Sequence, residues 1–247
     1  MNNDLYEQLL PVQMFIKSLI KGKNENYENY ILEVINNSLY FYKKSKGLKY
    51  IKSKQESHGE CDCYAGDYGL DFKLFGSESM FNTISNFSSR IIVQDECALF
   101  TSSKKQGEGK CSNLHKLFRF YDFNEQKLNL PTNNFYNKYV KDLKYFTKVL
   151  VKPKNLLFFY PVTFLFKIDK AFNMALDSII KAISQDFLSA FKFRKKYCED
   201  KETYLMFLYN DFFVILKYKN DKFVIVDYVN VRLSETFNRM YWEYVLW

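Results

Sequence analysis

Glu60, Asp62, Asp71 and Lys73 stand close together in the stretch HGECDCYAGDYGLDFKLF, residues 58 to 75, which otherwise alternates like two short strands. Gly66-Asp67 is suited to a two-residue hairpin loop, because glycine at the first central position accepts the positive φ of a type II′ turn. With that pair at the tip, Asp62 faces Asp71, Glu60 faces Lys73 and His58 faces Phe75. Side chains alternate between faces along a strand, so Glu60, Asp62, Asp71 and Lys73 project to one side, with Cys61, Cys63, Leu70, Phe72 and Leu74 on the other. A register slipped by one would set Cys61 against Lys73 and Cys63 against Asp71, mixing the faces. A four-residue loop preserves the partition.

Two carboxylates side by side repel by about 1 kcal/mol when solvated and by more when partly buried. Lys73 offsets one charge. A divalent cation would offset the rest, since Mg²⁺ takes carboxylate oxygens and waters and is commonly held by one or two acids. A lysine beside such an ion can orient the attacking water or steady charge on a phosphate, the chemistry of metal-assisted phosphodiester hydrolysis. The plainer alternative is a solvated sheet face whose acids are balanced by Lys73 and Lys54. His58, at a strand end, reads as an exposed structural histidine.

The elements that position this hairpin follow from spacing. Apolar residues three and four apart predict helices over 5–20 and 27–44, the second ending before Gly47. LKYIKSKQ, 48–55, reads as a strand. After the hairpin, a short helix is expected over SESMFNTISNFSSR and a strand in IIVQDECALF. The polar, lysine-rich 102–114 reads as an inserted loop. A helix from Pro131 is stopped by KPKN, ahead of an apolar strand at 155–161, and another helix over 169–194 ends in the basic run FKFRKK. Three apolar runs from Thr203 onward, separated by ND and KND, predict an antiparallel meander. The expected class is α+β, with either a boundary near 150 or a single domain.

This arrangement resembles the PD-(D/E)xK nuclease superfamily, whose restriction-endonuclease-like core is a helix, a β-meander, another helix and a further strand. The matching residues are Asp62, then Asp71-Phe72-Lys73, preceded by helix 27–44 and strand 48–55. The resemblance implies Asp62 and Asp71 as ligands of Mg²⁺ or Mn²⁺, Lys73 as the catalytic lysine, Glu60 assisting beside them, and a helix acid at Glu33 or Glu28. It also implies DNA as substrate and, by analogy with many members, a setting in restriction or anti-phage defence. Cys61 stands where the pattern has proline. The strand after the second core helix is either 90–95 or, if 97–150 holds an insertion, 155–161.

The charge of +8, from 36 Lys and Arg against 28 Asp and Glu, favours contact with polyanions, although a Lys- and Asn-rich codon bias gives the same excess. The basic stretches 104–110 and 192–196 are candidate phosphate contacts. Cys61, Cys63, Cys97, Cys111 and His115 invite a zinc reading, but Cys-x-Cys aimed at an apolar face suits small buried hydrophobes better. Cys198 reads as packing. No Gly-rich phosphate loop, Rossmann fingerprint or Ser-His-Asp pattern is present, so no small-molecule cofactor is expected. The apolar run at 155–166 is shorter than the roughly 18 to 20 residues that span a bilayer, and five irregularly spaced cysteines fit a reducing cytoplasm. The alternatives to a DNA nuclease are a scaffold subunit that docks a protein partner through the C-terminal sheet, and a nuclease acting on RNA.

Overall fold

A computed structural model of the chain describes residues 25–53, 59–74, 118–129, 140–159, 176–209 and 212–230. The helix at 5–20, the helix and strand expected at 77–100, the loop at 102–114, His58, Phe75, Cys97, Cys111 and His115 lie outside the described residues.

The apolar spacing near the N-terminus produces two helices instead of the single one expected over 27–44: α1, Glu25–Asn36, and α2, Leu39–Lys44. The break falls at Asn37-Ser38. Ser38 caps α2 by accepting from the Phe41 amide, and Asp227 accepts from both Ser38 Oγ, at 2.5 Å, and the Tyr40 amide, at 2.9 Å. Amides left unpaired at a helix start are thus satisfied by an acid from the far end of the chain.

The strands are β1, Ile51–Lys52; β2, Cys63–Ala65; β3, Tyr68–Leu74; β4, Tyr121–Asp122; β5, Lys127–Leu128; β6, Asn155–Phe159; β7, Thr203–Tyr209; β8, Phe212–Lys219; and β9, Lys222–Asn230. The remaining helices are α3, Val140–Leu150, and α4, Leu176–Tyr197. Seven strands form one mixed sheet in the order β1-β2-β3-β6-β7-β8-β9, while β4 and β5 form a separate hairpin that the sequence reading did not anticipate. β1-β2-β3 is antiparallel, β6 is parallel to both β3 and β7, and β7-β8-β9 is the expected meander. The sheet therefore continues across residue 150. The β8-β9 turn has positive φ at both Asn220 and Asp221, the type I′ pattern that suits the twist of a two-residue hairpin.

Alternation along the central strands divides the interior into two layers. Leu70, Phe72, Leu157, Phe159, Tyr204, Met206, Phe213 and Ile215 pack with Ile31, Val34, Ile35 and Phe41 of α1 and α2. On the opposite face, Leu156, Phe158, Leu205, Phe207, Val214 and Leu216 pack with α3, α4 and the β4-β5 hairpin. Strand β6 is buried on both faces, which is why NLLFF reads as a continuous apolar run. Strand β3, its neighbour, breaks that rule on one face: its α3-α4 side carries Gly69, Asp71 and Lys73.

Candidate active site

The hairpin forms in the expected register. Cys63 pairs with Leu70, Tyr64 with Gly69 and Ala65 with Tyr68, around Gly66 at φ +59. Cys63, Leu70 and Phe72 enter the apolar layer under α1, and Asp71 and Lys73 project to the other face.

Beyond Cys63 the ladder departs from ideal pairing. A continuing register would offer the Cys61 carbonyl to the Phe72 amide, but the Asp62 carboxylate takes that amide instead, Oδ2 to N 2.5 Å. The Asp62 carbonyl accepts from the Ser53 amide at 3.0 Å, tying the segment to the end of β1. Asp62 thus keeps its place beside Asp71 through its side chain.

Asp71 is 3% exposed on a strand paired on both sides, and its Oδ2 forms an ion pair with Lys73 Nζ at 2.8 Å. Lys73 Nζ is also 4.0 Å from Asp62 Oδ2. A second cation, Lys154, lies 3.7 Å from Asp71 Oδ1 and donates to the Glu60 carbonyl. Burial first, then the Asp71 charge, push the Asp62 carboxyl up to about 6 against the pull of Lys73 and the Phe72 amide. For Lys73, burial works against the charged form, but Asp71 and Asp62 outweigh it and the ammonium is held above its ordinary range.

Two expectations are corrected. Glu60 does not face Lys73: its Oε2 accepts from Ser53 Oγ at 2.7 Å, because residues 59–62 have left the strand and alternation no longer applies there. Cys61 is not on the apolar face with Cys63. Its sulfur lies over Gly69, where an added Cβ would come within 2.8 Å of it, and its thiol is raised by burial and senses Lys154 and Asp71. Of the two helix acids, Glu28 is the one whose charge acts on Asp62, and it pairs with Lys52 at 3.3 Å. Glu33 lies five positions on, about 140° round the helix from Glu28.

Lys154 was missed because KPKN reads as a helix stop. The usable signal was its position just before β6: parallel pairing of Leu70 with Asn155 and Asp71 with Leu156 sets residue 154 on the same face as Asp71. The basic run at 192–196 also divides. Arg194 is 1% exposed and donates to the carbonyls of Leu150, at 2.6 Å, of Lys152, at 3.0 Å, and of Lys154, and through Nε to Thr203 Oγ1 at 2.7 Å. It clamps the C-terminus of α3 and the turn bearing Lys154, and its burial keeps it out of reach of a phosphate in solvent.

No protein-family model matches the chain, and no curated protein or solved structure is detectably similar to it. No described helix is long and apolar enough to cross a membrane. Among the described residues no three His, Cys, Asp or Glu side chains converge, so the carboxylate pair is what these residues can offer a metal ion. That pair suits a hard cation. Mg²⁺ is commonly held by one or two carboxylates when water and phosphate oxygens complete its shell.

Proposed function

We propose that this chain is a metal-dependent nuclease that hydrolyses phosphodiester bonds in DNA. The observation that carries the reading is Asp71: a carboxylate 3% exposed on a central strand of the sheet, clustered with a second acid and two lysines. Burying such a group costs several kcal/mol even when it is paired with lysines, and an apolar residue of similar size is often at least as stable there. Element order adds support. A helix, three antiparallel strands, a crossover that includes α3 and a strand parallel to β3 follow the order of the restriction-endonuclease-like core, with 155–159 as its last strand.

In this reading Asp62 and Asp71 hold Mg²⁺ or Mn²⁺, which when bound polarises the phosphoryl oxygens and acidifies water. Lys73 orients the attacking water or meets charge developing on the phosphate. Lys154 is a positioning residue, holding Asp71 from one side and the 59–62 segment from the other. The net charge of +8 favours approach of a polyanion. Restriction or anti-phage defence is the biological setting by analogy.

The test is plasmid cleavage in Mg²⁺ or Mn²⁺ by the full chain and by Asp71→Asn and Lys73→Met, with circular dichroism to verify folding. We expect both variants to lose at least about 100-fold in rate. Lys154→Met should fall less in rate and chiefly weaken Mn²⁺ binding by calorimetry. Equal rates in wild type, Asp71→Asn and Lys73→Met, or no calorimetric Mn²⁺ binding by wild type, would remove the reading and favour a scaffold.

A further inference from the structure

A concavity of about 490 Å³ lies between the β4-β5 hairpin and α4, within the size range of sites that admit a small ligand or one nucleotide. Lys192 and Lys196 line it from one helix face, and Arg119, Phe120, Asn124 and Asn129 line it from the hairpin. The two lysines are four positions apart, about 6 Å along the helix axis, close to the separation of neighbouring phosphates on one strand. Both are exposed, and Lys196 lies near enough to the Asp122 carboxylate to act on it. Arg119 pairs with Asp186, which fixes the base of the hairpin against α4. Asp122 also lines the cavity, but its Oδ1 accepts from the amides of Asn124, at 2.8 Å, and Glu125, at 3.0 Å.

Phe120 decides the class of ligand. It is 43% exposed at the cavity, while Phe118, Tyr121 and Phe123 around it are buried in the apolar layer. An exposed ring beside paired lysines offers a stacking surface for a base together with charge for its phosphates, the combination that holds single strands. Duplex DNA, with its bases already stacked, would use the lysines alone. The cavity lies on the same side of the sheet as Asp71, and the two are linked through α4, whose Arg194 clamps the turn that carries Lys154 to the acids.

We infer that this cavity binds a single-stranded segment of the nucleic acid, with Phe120 stacked on a base and Lys192 and Lys196 on adjacent phosphates. The inference rests on the nuclease reading for its biological sense, but binding can be measured without cleavage. The experiment is fluorescence anisotropy with labelled dT12 and with a duplex of the same length, in EDTA across a salt series. It compares wild type with Lys192→Glu/Lys196→Glu and with Phe120→Ala, each checked for folding by circular dichroism.

The lysine variant should bind dT12 about tenfold or more weakly, and its salt slope should flatten by about 1.4, the value for two lost single-strand phosphate contacts. Phe120→Ala should lose about fivefold or more on dT12 and almost nothing on the duplex. Unchanged dT12 affinity in the folded variants, or an equal loss by Phe120→Ala on both DNAs, would overturn the inference. If Asp71→Asn abolishes cleavage while these variants bind dT12 as wild type does, the nuclease reading stands and the cavity falls. The opposite pattern leaves a single-strand-binding protein.

Discussion

Asp62 is the residue whose ionisation the fold resists. Its carboxyl is raised from 3.8 to about 6, so the neutral form is favoured on folding. The associated stability is full below pH 4 and is lost as pH rises through 6, leaving a cost of about 3 kcal/mol at neutral pH. Asp62→Asn keeps an oxygen for the Phe72 amide and removes the charge. It should melt several degrees above wild type at pH 7.5, with the gap closing toward pH 4. In thermal scans, millimolar Mn²⁺ should raise the wild-type midpoint at pH 7.5 and leave Asp62→Asn almost unmoved. A variant that melts below wild type at pH 7.5, or responds to Mn²⁺ as wild type does, would contradict the assignment.

Among the elements, α4 reaches furthest, because one buried guanidinium joins it to α3 and to the entry of β6. Arg194 satisfies carbonyls at the end of α3 that have no partner within the helix. Arg194→Met leaves those oxygens buried and bare, at a cost of about 3 to 5 kcal/mol, and should lower the melting midpoint by about 10 °C. Arg194→Lys should recover little, since a point charge cannot reproduce the planar fork that reaches several carbonyls at once. Full recovery by lysine would mean that charge alone holds the turn.

On the scale of the whole molecule, α2, β3, β7 and β8 meet at Glu202. Its carboxylate accepts from Lys44 at 2.8 Å, Tyr68 at 2.6 Å and Tyr204 at 2.8 Å, and from Lys217. Burial pushes the group up, but those four donors outweigh it and hold the carboxyl at about 2. The contribution is therefore present above pH 4.5 and lost as pH falls toward 2, opposite in sign to Asp62. Glu202→Gln should cost about 3 kcal/mol at pH 7 and almost nothing at pH 2, measured by urea unfolding across that range. A pH-independent cost would assign the effect to packing.

The amino-acid sequence alone determined what depends on neighbours along the chain. Gly66-Asp67 set the turn, period-two alternation set which side of β3 is apolar, and the runs from Thr203 onward set the meander. These are short-range choices made by backbone sterics and by burial of one face, so Asp71 and Lys73 could be placed on one side of a strand before any tertiary contact was known. Tertiary structure decided what depends on partners far apart in sequence. It broke the helix expected over 27–44 at Ser38 through Asp227, brought Lys154 to Asp71 by parallel pairing, turned Glu60 away to Ser53, and buried Arg194 while leaving Lys192 and Lys196 in solvent. Local pattern carries no record of which distant group will satisfy a buried charge or carbonyl, because that is fixed only when the layers close on one another.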